Sequence, residues 1–199
     1  MPERARPEPT AFNDSAELPY QLRSADFALA LQDLFDFLFD VDSLLQSRDL
    51  PRLEDVVRPA VFSGILSDML SASLARHSRV LTLNHFHNGH PDLVPKGRYP
   101  DDRTAAGHEG VEVKATKGTG AVDAHGAREG WLCVFRYVVD SETQPAVDRA
   151  PTRIREVLLA RLELGDFRRN ERGELGTRTA SANAVGLQKL RSNWVYREP

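Results

Sequence analysis

An α/β fold is what this sequence predicts: a mixed β-sheet with helices on its faces, preceded by a helical extension. Three observations carry the prediction. Apolar residues recur at helical spacing across residues 24–77. From residue 79 onward they change to short alternating or continuous runs, such as Val80-Leu81-Thr82-Leu83 and Trp131-Leu132-Cys133-Val134-Phe135. Gly, Pro, Asn and Asp punctuate the gaps between those runs. At 199 residues the chain fits a leading segment, residues 1–20, and a single domain, residues 21–199, with a substantial core.

Taken in order, residues 1–20 are rich in Pro and charge and read as mobile until something docks on them. Ser24 then reads as an N-cap, with Asp26 in the first turn where the helix dipole favours a negative charge. Phe27, Leu31, Leu34, Leu38, Val41 and Leu45 make one helical face, which Phe35, Phe37 and Phe39 widen, so the helix is expected to pack on two sides, with a second copy as one partner. Asp33, Asp36 and Asp40 form a solvated stripe opposite. Leu50-Pro51 ends this pattern. A second helix spans about 52–77, buries Leu53, Val56, Val57, Ala60, Val61, Ile65, Met69, Leu70 and Leu74, and is kinked or started late by Pro59.

Strands are expected over 79–84, 92–95, 110–116 and 131–140, the last apolar enough to be central, and 154–164, which alternates only in part, reads as strand in preference to helix. Residues 166–179, with Asn170-Glu171-Arg172-Gly173 at the middle, read as a basic hairpin. In the tail, Leu187, Leu190, Trp194 and Tyr196 are placed to seal an edge of the core.

Composition bounds the function. No apolar run approaches the roughly 20 residues of a spanning helix, and MPERARPEPT lacks an apolar signal core. The one cysteine, Cys133, rules out an internal disulfide framework or a Cys-based zinc site, and a cytoplasmic location is the natural expectation. Net charge is −3, but residues 1–77 carry −6 and residues 149–199 carry +5, so the C-terminal part offers the field that phosphates follow.

The chemistry concentrates in residues 90–116. An extended strand alternates its side chains, so Glu112 and Lys114 share one face while Val111 and Val113 take the other. Of 26 basic residues only four are lysines, and Lys114 is the only one with an acid two residues before it. A chain that otherwise relies on arginine keeps here the one cation that acts as a compact point charge with an adjustable pKa. If the segment opening at Pro91-Asp92 is the neighbouring strand, two carboxylates from Asp92 and Glu112 become ligands of a Mg²⁺ that keeps several waters. Asp101 follows a proline as well, but it stands in a turn-forming Tyr-Pro-Asp-Asp-Arg, whereas Leu93-Val94 carry Asp92 into an apolar run. His85, His87 and His90 precede the site in His-Phe-His-Asn-Gly-His, a cluster open to zinc binding, nucleotide contact or plain loop packing.

A strand opening on Pro-Asp followed by a strand carrying Glu-x-Lys, in this order after helix and strand, resembles the PD-(D/E)xK nucleases, the restriction-endonuclease-like superfamily. The resemblance covers about residues 52–140 and rests on Pro91, Asp92, Glu112, Val113 and Lys114. It implies a restriction-endonuclease-like sheet and a Mg²⁺-dependent, or Mn²⁺-dependent, endonuclease. Asp92, Glu112 and the Val113 carbonyl would hold the metal, and Lys114 would orient and help deprotonate the attacking water. A further acid would come from Glu54 or Asp68, with Glu109 a third candidate. Double-stranded DNA is the implied substrate, a homodimer the expected assembly, and a methyltransferase or defence-complex subunits possible partners. Lys117, His125 and Arg128 in the glycine-rich stretch after the Glu-x-Lys strand, and Arg168, Arg169 and Arg172 in the hairpin, are the expected DNA contacts. Against this stand an inactive nucleic-acid-binding subunit and a protein scaffold built on the aromatic N-terminal helix.

Overall fold

Pro59 divides the helical region, because a ring without an N–H is tolerated in a helix only in its first turn. The computed structural model, which describes residues 4–118, 123–124, 126–169 and 180–199, accordingly has α1 (Ser24–Gln46), a single turn α2 (Leu53–Val56), and α3 (Pro59–His77) starting at the proline. Strands follow as β1 (Leu81–Leu83), β2 (Leu93–Pro95), β3 (Val111–Lys117), β4 (Asp123–Ala124), β5 (Gly130–Val138), β6 (Arg153–Leu162), β7 (Phe167–Arg169) and β8 (Ala180–Ala182). Helix α4 (Ala184–Ser192) and strand β9 (Trp194–Arg197) end the chain. The protein is thus a mixed α/β molecule: a six-stranded sheet in the order β1-β2-β3-β5-β6-β9, with four helices among the described residues. Only β3 and β5 run parallel in it. A small second sheet orders β4-β8-β7.

Strand β5 is central because it is apolar on both faces. Cys133, Phe135 and Tyr137 join Phe27, Leu31, Leu34, Phe35, Phe62, Leu66, Leu70 and Leu74 of α1 and α3 in the larger core. Leu132 and Val134 point the other way, toward Leu158, Ala160, Leu162, Ala182 and Leu190 beneath α4.

Several expectations are corrected. The N-cap of α1 is Arg23, not Ser24: Asp26 sits at the third helical position, accepts the Arg23 N–H at 2.9 Å and pairs with its guanidinium. In α3 the buried stripe is Phe62, Leu66, Leu70 and Leu74, at steps of four, while Val56 and Val61 are exposed. Residues 4–20 are packed rather than loose. The Arg4 guanidinium lies 4.2 Å over Phe39 and pairs with Asp36 and Asp40, Phe12 stacks 4.8 Å from Tyr196, and the Glu8 N–H donates to the Tyr196 hydroxyl at 2.9 Å. The acidic stripe of α1 is therefore engaged, and Asp33 also accepts from Ser73 Oγ at 2.6 Å with His77 Nε2 at 2.8 Å, tying α1 to α3. The tail closes the sheet as β9 beside β6. Of the hairpin expected over 166–179, β7 is described and pairs antiparallel with β8, which lies beyond that range, while residues 170–179, Arg172 included, lie outside the described residues. Among the described residues no helix is long and apolar enough to cross a membrane.

Candidate active site

Strands β2 and β3 pair at one register position, Leu93 with Val111, and then separate. Gly110 sets that approach: its φ is +136°, and a Cβ there would stand 2.0 Å from the Leu93 carbonyl oxygen, so only glycine fits. Past Val111 the exposed edge of β3 is bonded by side chains instead of a strand. The Val113 N–H donates to Asp92 Oδ2 at 2.8 Å, and the Ala115 N–H donates to Ser67 Oγ of α3 at 2.9 Å. The N–H and C=O of one residue leave a strand on the same side. The Val113 carbonyl therefore faces the edge where its amide meets Asp92.

Asp92 is fixed from behind, its carbonyl accepting the Asn84 N–H at 2.8 Å. Glu112 and Lys114 project from the face of β3 opposite Val111 and Val113, as the alternation requires, and Lys114 Nζ lies 2.6 Å from Glu112 Oε1. His90 Nδ1 stands 2.6 Å from the other oxygen, Oε2, which is buried and makes no aligned hydrogen bond. The groups share a cleft of about 590 Å³, lined also by Ser63, Ser67, Asp68, Ser71, Asn88, Gly89 and Arg128.

The electrostatics pull the two acids apart. Burial first, and the neighbouring Glu112 second, push the Asp92 carboxyl up to about 6. Burial would raise Glu112 too, but His90 and Lys114 outweigh it and hold that carboxyl down at about 2. Burial disfavours the Lys114 ammonium, yet Glu112, Asp92 and, more weakly, Asp68 override it, so its pKa is raised. The cleft thus holds one firmly ionised carboxylate, one carboxyl that ionises reluctantly, and a persistent cation.

The structure brings Asp92, Glu112, Val113 and Lys114 together, with Arg128 on the cleft wall. Of the two candidate further acids, Asp68 lines the cleft. Glu54 lies elsewhere, beside Arg52 Nε at 2.9 Å and Thr152, its carboxyl pushed up by burial. Glu109 pairs with Arg98 at 2.8 Å. Asp101 sits in a single turn with φ +54°, apart from the cleft lining. Lys117 is exposed at the end of β3, Arg168 is exposed on β7, and Arg169 belongs to the same strand. His125 and Arg172 lie outside the described residues.

Four neighbours of the site, Ser63, Ser67, Ser71 and Tyr20, escaped the sequence reading, whereas His90 belongs to the histidine cluster already read there. His90 stands two residues before Asp92, across the cis bond to Pro91. Ser63, Ser67 and Ser71 repeat every four residues, a legible polar row on α3. Tyr20, whose hydroxyl accepts the Gly110 N–H at 2.8 Å, carries no local signal.

No group of three or more His, Cys, Asp or Glu side chains is gathered as a metal cage among the described residues. The donor set nevertheless suits Mg²⁺, which typically takes one or two carboxylates and completes its six positions with waters and substrate phosphate. Two carboxylates, one with an unaligned buried oxygen, and a carbonyl at the same edge meet that requirement. No family model, curated protein or solved structure matches the chain.

Proposed function

We propose that this protein is a Mg²⁺-dependent DNA endonuclease of restriction or phage-defence type, with Mn²⁺ as a substitute, built on a restriction-endonuclease-like sheet. The observation that carries the reading is the convergence of Asp92, Glu112 and Lys114 at the bare edge of β3, where its pairing with β2 ends. The parallel β3-β5 centre and the helices on the Val111 and Val113 face are consistent with it. A cytoplasmic setting, a homodimer cutting both strands of duplex DNA, and a methyltransferase or defence-complex subunit as partner belong to the same proposal.

Bound Mg²⁺ supplies an acidified water and neutralises charge on the phosphate. Asp92 and Glu112 would hold the ion through carboxylate oxygens, and the Val113 carbonyl would be a third donor. Lys114, kept as an ammonium by Glu112, would orient the attacking water, whose proton passes to solvent as its oxygen bonds phosphorus and the P–O bond to the leaving strand breaks, and would offset negative charge on the phosphoryl oxygens. Arg128, exposed on the cleft wall, meets a flanking phosphate.

Plasmid cleavage tests this. Mg²⁺- or Mn²⁺-dependent cutting is expected, with Asp92→Ala, Glu112→Ala and Lys114→Ala each lowering the rate about 100-fold or more while circular dichroism stays native-like. Cleavage retained by all three variants removes the proposal. DNA binding with no cleavage under any divalent metal would favour the inactive binding subunit instead.

A further inference from the structure

The His-Phe-His-Asn-Gly-His segment is not exhausted by His90. Its residues 85–88 are all exposed, and Phe86 leaves 42 % of its surface to solvent, the only phenylalanine or tryptophan among the described residues that is exposed. A single exposed apolar side chain is ordinary on a protein surface. What sets this one apart is how firmly it is presented, and where.

The base of the loop is fastened by one side chain. Asn84 Nδ2 donates to the Pro91 carbonyl at 2.9 Å and the Thr104 carbonyl at 2.8 Å, while Asn84 Oδ1 accepts the Phe86 and Thr104 N–H groups, both at 3.1 Å. The turn itself closes through the Gly89 N–H to the Phe86 carbonyl at 2.9 Å, with Asn88 at φ +55°, a conformation asparagine tolerates better than most residues. Gly89 is seated so tightly that a Cβ would lie 2.4 Å from the Thr104 carbonyl oxygen. The loop is a fixed bracket, and its inner side, Asn88, Gly89 and His90, is already a wall of the catalytic cleft.

We propose that this loop is a nucleic-acid-contacting element and that Phe86 is its base-stacking residue, taking an unpaired or unstacked base next to the phosphate held in the cleft, with His85 and His87 flanking it. The proposal rests on the nuclease reading of the cleft and narrows its substrate from continuous duplex to DNA with unpaired or flipped bases. An aromatic ring that already points outward loses little conformational entropy on binding, and every base offers it a π-face once freed from its neighbours in the helix. A strand with unpaired or flipped bases is therefore favoured over a continuous duplex.

Binding measured by fluorescence anisotropy in EDTA, with a labelled single-stranded oligonucleotide and its duplex, separates this from chemistry. Wild type is expected to prefer the single strand. Phe86→Ala should weaken that binding roughly 10- to 100-fold, with Phe86→Tyr within a few-fold of wild type. Because Phe86 is exposed, both variants should keep the wild-type thermal midpoint and Mg²⁺ affinity. In a Trp131→Phe, Trp194→Phe background, Phe86→Trp emission should be quenched as the oligonucleotide saturates. Wild-type affinity in Phe86→Ala, or unchanged Phe86→Trp emission at saturation, overturns the loop's role and leaves the nuclease reading standing if wild type cleaves. Wild type that neither binds nor cleaves nucleic acid overturns both.

Discussion

At Asp92 the cost of the site is written in one carboxyl. Burial and the charge of Glu112 push its pKa up to about 6, whereas in an unfolded chain it would ionise near ~3.9. Ionisation is thus harder in the folded protein, so stability declines from about pH 4 upward and levels off above pH 6, the reverse of a salt-bridged acid. Asp92→Asn removes that penalty. The variant is expected to exceed wild type in urea denaturation at pH 8 by about 1–3 kcal/mol, with the gain fading toward pH 4. Mg²⁺ needs the ionised form, so its affinity should rise through pH 6 and then flatten. Below pH 6 binding should release a proton, which calorimetry in buffers of different ionisation enthalpy reads directly; affinity independent of pH between 5 and 8 would place the ion elsewhere. Lys114 is shifted upward as well, but for a cation that means the charged form is stabilised, by Glu112 and Asp92, so it stays charged across this range.

At the scale of elements, the site depends on where β3 begins. Gly110→Ala would drive a Cβ to 2.0 Å from the Leu93 carbonyl at a φ that alanine avoids. The expected loss is about 2–4 kcal/mol in denaturant unfolding. Mg²⁺ binding should weaken as well, because β3 moves away from Asp92. Native stability with tight Mg²⁺ binding would show that this contact does not set the spacing. Much of this region was legible beforehand. Glu112-Val113-Lys114 fixes its own faces by alternation, and the unbroken apolar run after Gly130 marks a strand buried on both sides. The phase of α3 was not legible: Val61, Ile65 and Met69 offered as good an apolar row as Phe62, Leu66 and Leu70, and tertiary contact with α1 and β3, absent from local sequence, decided between them. Asp68 and Glu54 were equivalent as letters; the break at Pro59 sends them to different places.

Across the whole molecule, the part that local composition described least well is the N-terminal segment, since what holds it lies at the other end of the chain. Pro-rich, charged sequence reads as loose, yet Glu8 and Phe12 meet Tyr196, Glu17 meets Asn193, and Tyr20 reaches Gly110. The last contact joins this belt to the candidate site: the Tyr20 hydroxyl accepts the N–H of the glycine before β3. Tyr20→Phe deletes one oxygen and leaves that N–H without its partner, a change expected to cost about 1–2 kcal/mol. If the belt only adds general stability, Tyr20→Phe and Phe12→Ala, placed at the opposite contact, should lower the thermal midpoint and leave Mg²⁺ affinity alike untouched. If it also fixes the opening of the cleft, Tyr20→Phe alone should weaken Mg²⁺ binding several-fold at a temperature where both variants are fully folded. The second outcome is expected, because Gly110 stands two residues before Glu112 and against Pro91 and Leu93, which flank Asp92. Equal Mg²⁺ affinities in wild type and Tyr20→Phe would confine the N-terminal segment to a purely structural role.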